Sequence, residues 1–138
     1  MSEVRPVYLL DSFAFLAYLN NEPGKPRVEA ILDQAQKHQC IILMCIINLG
    51  EVLYSVERRR GFAAAQKTLM LSQNLPIKIL EVTNDLVLEA AHIKASHPLS
   101  YADAFAVAVA INQKAIVLTG DPEFESVVTL VNVEWLNR

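Results

Sequence analysis

Short, unbroken apolar runs recur along this chain, and stretches with helical spacing separate them. The runs are VYLL at Val7–Leu10, IILMC at Ile41–Cys45, the segment Ile77–Val82 after Pro76, AIVLT at Ala115–Thr119, and Val131–Leu136. A strand with one wet face alternates polar and apolar residues, whereas a continuous run suits a strand covered on both faces. Between the runs, Ser12 is placed to cap a helix Phe13–Leu19, and NNEPGKP carries turn chemistry. Arg27–Gln39 sets Val28, Ile31, Leu32 and Ala35 on one stripe, and Gly61 separates helices over Asn48–Arg60 and Phe62–Gln73. Thr83 caps Asn84–Ala95, Pro98 ends that region, Ser100 caps Tyr101–Gln113, and GDPEF turns into a short helical stretch. Strands alternating with helices predict an α/β fold: a three-layer α/β/α sandwich on a mainly parallel central sheet.

The 138 residues suit a single domain spanning 1–138, and a hydrophobic content of 53% excludes a disordered chain. No repeat or low-complexity linker divides it. Cys40 and Cys45 lie five apart, which on a strand points them to opposite faces, so they read as two separate buried thiols. His38, His92 and His97 do not complete a zinc site with them. The start of the chain lacks a basic region ahead of its apolar stretch, and no run reaches the ~20 apolar residues a membrane helix needs. A cytoplasmic protein without membrane attachment is expected.

Four acids fall at related places in this plan. Asp11 follows the first strand directly, and Asp121 follows the strand Ala115–Thr119. Glu51 is expected in the first turn of the helix after the second strand, and Asp103 in the first turn of the helix after Ser100. In an open parallel sheet, ligands bind outside the carboxyl ends of the strands, where the following helices also begin. Asp103 joins the other three only if its helix starts at that edge. Taken singly, each acid has a modest explanation. Asn48-x-x-Glu51 and Ser100-x-x-Asp103 look like capping boxes, Asp11 is a helix acceptor, and Asp121 belongs to an Asp-Pro turn. Capping does not explain four carboxylates at one edge with apolar residues around them. Such a group would repel unless cations compensate, and Mg²⁺ or Mn²⁺ are the natural partners of carboxylate and water oxygens.

The segments LLDSFAFLAYLNNEPG, INLGEV, SYADAFAVAVA and LTGDPEF, in this order, resemble the motifs of the PIN-domain ribonucleases, most of all the toxins of VapBC-type toxin–antitoxin pairs. The resemblance spans nearly the whole chain. It implies that Asp11, Glu51, Asp103 and Asp121 are metal-binding catalytic acids, that Ser12 and Thr119 are supporting hydroxyls, and that Asn48 is a supporting polar residue before the second acid. It further implies a helix-sandwiched parallel sheet, an RNA substrate, a cognate antitoxin partner and a homodimer. Glu123 matches the pattern least well: it is either an acid supporting the metal ligands or an exposed residue at a helix start, and the second reading is preferred.

The chemistry implied is metal-dependent endoribonucleolytic hydrolysis, since no histidine in these segments offers a general base. RNA contact needs local positive charge, and the only basic run is Arg58-Arg59-Arg60. Arg58 lies seven residues past Glu51, so on a helix the two share a face roughly 10 Å apart. Arg58 and Arg59 are therefore candidate RNA contacts, against the plain alternative of cations suited to a helix C-terminus. Three rival readings fit the residues less well. A phospho-receiver domain wants paired acids after strand one and a late lysine, and Asp11 stands alone with no lysine after Thr119. A dehalogenase-like phosphatase wants Asp-x-Asp, and Asp11 is followed by Ser12 and Phe13. A catalytically silent scaffold that only binds protein or RNA would show lost acids, and all four are present. The chain carries a net charge of −3, with 12 basic and 15 acidic residues. That balance excludes binding polyanions by bulk charge, but without the four site acids the count is 12 against 11.

Overall fold

The computed structural model describes residues 4–137. Five strands, β1 (Val7–Leu10), β2 (Ile41–Cys45), β3 (Lys78–Leu80), β4 (Ile116–Thr119) and β5 (Val133–Trp135), form one sheet in the order β3-β2-β1-β4-β5. Every neighbouring pair is parallel, so all carboxyl ends share one edge. Six α-helices connect them: α1 (Ser12–Leu19), α2 (Lys25–Gln36), α3 (Ile46–Arg60), α4 (Phe62–Asn74), α5 (Asn84–Ser96) and α6 (Tyr101–Gln113). A 3₁₀ segment, Pro122–Val127, follows β4.

The continuous apolar runs are explained by two cores, one on each face of the sheet. Leu9, Leu43, Cys45 and Val117 point to the side of α5, α6 and the 3₁₀ segment. Tyr8, Leu10, Ile42, Met44 and Leu118 point to the side of α1, α2 and α3. Adjacent strand residues thus enter opposite layers, and burying both lets strands of three to five residues hold. The predicted sandwich is what forms. Cys40 and Cys45 fall in opposite cores as free thiols, and burial raises the pKa of both.

Several local expectations are corrected. Asp11, not Ser12, caps α1: its carboxylate accepts the Ala14 N–H at 2.9 Å. Both residue types cap well and stand one position apart, so local preference does not choose between them. Helix α2 starts two residues early, with Pro26 in its first turn, and ends at Gln36 because His38 adopts a left-handed φ of 60°. Its buried stripe is nevertheless Val28, Ile31, Leu32 and Ala35. Helix α3 begins at Ile46, straight from β2, with Cys45 as its uncapped start. Asn48-x-x-Glu51 is therefore no capping box, and Glu51 sits in the second turn rather than the first. The outer strands are shorter than their apolar runs, because β3 and β5 are edges with one neighbour each.

The condition on Asp103 is met. Helices α5 and α6 pack together, with Asn112 near the end of α6 donating to Glu89 of α5 at 2.8 Å. Helix α6 starts beside Glu123, whose carboxylate accepts the Ser100 N–H at 3.1 Å, and so begins at the carboxyl edge of the sheet. Gly120 permits one close approach at that edge, since a Cβ there would lie 2.4 Å from Cε1 of Phe13.

Candidate active site

Asp11 and Thr119 follow the register pair Leu10–Leu118, which sets them side by side at the ends of β1 and β4. The Thr119 hydroxyl donates to Oδ2 of Asp11 and accepts the Asp121 N–H at 3.0 Å. One buried hydroxyl thus fixes the first acid and the backbone of the last. With Ala14 on Oδ1, both oxygens of Asp11 are held. Burial lifts the Asp11 pKa to about 7; the hydrogen bonds from Thr119 and Ala14 oppose this, and the charges of Asp121 and Glu51 add to it.

Glu51 reaches the same edge from α3, and Ser12 donates to its Oε1 at 2.5 Å. Asp103 is buried in the first turn of α6, where Ser100 caps the helix by accepting the Asp103 N–H at 3.1 Å. Burial is the main cause that raises the Asp103 pKa, followed by a hydrogen bond shared with Glu123 and the nearby charges of Asp11 and Asp121. Asp121 caps the 3₁₀ segment by accepting the Glu123 N–H at 2.9 Å. Asn48 is fully buried and donates from Nδ2 to the Ala102 carbonyl at 3.2 Å, which ties the start of α3 to the start of α6.

The four predicted acids are brought to one place, and the structure adds a fifth. Carboxylate oxygens of Asp103, Asp121 and Glu123 lie within 4.8 Å of one another. Glu123 is exposed at the start of its segment, as expected, yet its side chain also turns to Ser100 and Asp103. Only the turn after Asp121 brings the side chain back to Ser100 and Asp103, so spacing alone leaves the supporting and the exposed readings both open. Asp11 and Glu51 stand outside that tight triple, Asp11 held by Thr119 and Ala14, and Glu51 by Ser12.

A cleft of about 290 Å³ opens beside the acids, lined by Ser12, Phe13, Leu16, Glu51, Tyr54, Ser55 and Asp121. No lysine or arginine lines it. Hard oxygen donors, two carboxyls pushed toward neutrality and, among the described residues, no basic side chain lining the cleft match what a divalent ion requires of its site. Arg58 and Arg59 are exposed near the end of α3, and Arg58 lies 5.0 Å over the Tyr54 ring. Arg60 instead turns to Asn20 at 3.2 Å.

The profile of the PIN domain matches residues 8–130, which contain every one of these acids. The chain belongs to the PIN domain family. No curated protein sequence matches it significantly. Solved structures with this PIN fold include VapBC2 from Rickettsia felis, bound to a DNA fragment from its promoter (TM-score 0.75, 16% identity, 95% of this chain and 99% of that one). VapC20 of Mycobacterium tuberculosis, a sarcin-ricin-loop-cleaving toxin, gives a TM-score of 0.71 at 20% identity over 86% of this chain and 92% of that one. FitAcB from Neisseria gonorrhoeae gives 0.65 at 21% identity over 91% and 95%. The shared PIN fold accounts for where the acids stand: each is carried by a strand end or a helix start at the carboxyl edge. Among the described residues, no helix is long and apolar enough to cross a membrane.

Proposed function

We propose that this PIN protein is a divalent-metal-dependent endoribonuclease and the toxin of a VapBC-type pair. It would act in the cytoplasm, as a homodimer, and be held in check by a cognate antitoxin. The carrying observation is the gathering of Asp11, Glu51, Asp103 and Asp121, with Glu123, around one edge of the sheet. The fold neighbours that are toxin–antitoxin complexes, and the one described as an RNA-loop-cleaving toxin, support the biological assignment.

Asp103, Asp121 and Glu123 would hold Mg²⁺ or Mn²⁺, with Asp11 and Glu51 completing or flanking the site. When bound, the ion supplies Lewis-acid activation of water and neutralises charge on the scissile phosphate. The chain's own contribution is rigidity. Thr119 locks Asp11 and the Asp121 backbone together, Ser12 aims Glu51, and Asn48 fixes the distance between α3 and α6. Ser100 holds the first turn of α6, so Asp103 enters the site from a formed helix. Arg58 and Arg59 would guide the phosphate backbone toward the acids.

The test is cleavage of an RNA pool by the full chain with Mn²⁺, by wild type and by Asp103→Asn. The substitution keeps shape and removes charge, so the rate is expected to fall at least about 10- to 100-fold. Cleavage by Asp103→Asn at the wild-type rate overturns the proposal.

A further inference from the structure

Tyr54 belongs to neither core and is 51% exposed, yet it lines the cleft beside the acids. Folding uses only part of the ring, since about half of it stays in water. On α3, Glu51, Tyr54, Ser55 and Arg58 are spaced by three, four and seven residues, so they share one helix face. The face passes from a carboxylate, through an aromatic ring, to a guanidinium lying 5.0 Å from the ring centroid. Phe13 and Leu16 from α1 add apolar lining to the same cleft. From Glu51 to Arg58 the rise is about 10 Å.

We propose that Tyr54 is the stacking platform for one unpaired RNA base next to the cleaved bond, with Arg58 taking the phosphate beyond it. This rests on the ribonuclease reading and deepens it. A nucleotide carries an anionic link, a polar sugar and a flat π-surface, and the cleft presents a matching series at matching scale. Arg58 covers the ring on one side while the ring still borders the cleft, so guanidinium, ring and base can stack in order. Stacking serves every base, because each has a π-face, so Tyr54 selects unpaired RNA over duplex rather than one sequence.

The test uses the full chain with Mn²⁺ and a short RNA cut by wild type, compared with the same RNA carrying an abasic nucleotide on either side of the cut. Tyr54→Ala is expected to raise KM about 5- to 100-fold on intact RNA while kcat changes little. Tyr54→Phe and Tyr54→Trp are expected to keep the wild-type KM. On the RNA abasic at the stacked position, wild type and Tyr54→Ala should have the same KM, since ring and base have then both been removed. An unchanged KM for Tyr54→Ala on intact RNA overturns the inference. A loss equal on intact and abasic RNA also overturns it, since the ring then acts only through the fold. If wild type cuts no RNA at all, the ribonuclease reading itself falls, and this inference with it.

Discussion

Ser12 and Thr119 carry no charge, yet each controls a carboxylate. Ser12 donates to Glu51 from the first residue of α1, and Thr119 serves Asp11 and the Asp121 backbone together. Ser12→Ala should lower metal affinity and cleavage about 10- to 100-fold with little change in thermal midpoint, because the residue is only half-buried. Thr119→Val should do both: it leaves the buried Asp11 oxygen and Asp121 N–H unpaired, for a stability loss of about 1–3 kcal/mol in chemical denaturation. The acids themselves predict a pH dependence. Asp11 titrates at 3.8 when unfolded and about 7 when folded, so between those values the folded state holds the extra proton. Stability of the metal-free protein should therefore fall as pH rises from about 4 through 7, by up to ~4 kcal/mol from this group. Asp103 shifts in the same direction and extends the fall. Saturating Mn²⁺ should reverse the trend, since binding to ionised carboxylates strengthens as they lose protons. Denaturant midpoints at pH 5 and pH 8, with and without Mn²⁺, check both signs.

Among the elements, helix starts matter more than helix bodies. Ser100 caps α6 in the way its sequence predicts, and Ser100→Ala should cost about 1 kcal/mol while loosening Asp103. The start of α3 departs from its local sequence pattern. The spacing of Asn48 to Glu51 predicts a cap, but β2 runs into α3 without a loop, which makes Cys45 the boundary and buries Asn48 against Ala102. A strand and helix that meet directly leave no turn residues to mark the junction. The unbroken runs VYLL and IILMC, in contrast, disclosed doubly covered strands, since each residue enters one of two cores. The positions of Asp11, Glu51 and Asp121 followed from that topology alone. Glu123 could not be placed so, because its side chain depends on the path of one turn after Asp121.

For the whole molecule, a net charge of −3 leaves no general attraction to RNA. One bound divalent ion would bring it to −1 and two to +1, so metal loading would change how the surface meets a polyanion. Affinity should then rest on local contacts. Reversing charge at Arg58 and Arg59 together should weaken RNA binding and flatten its salt dependence, measured as log affinity against log salt. The proposed ribonuclease function requires the acid edge to be a cation site. Calorimetric titration of the metal-free chain with Mn²⁺ at pH 7.5 measures this directly. Wild type should give a saturable isotherm whose heat varies with buffer ionisation enthalpy, because binding releases protons from Asp11 and Asp103, and Asp103→Asn should bind much more weakly. A wild-type titration without saturable heat, or one that Asp103→Asn reproduces, would contradict it.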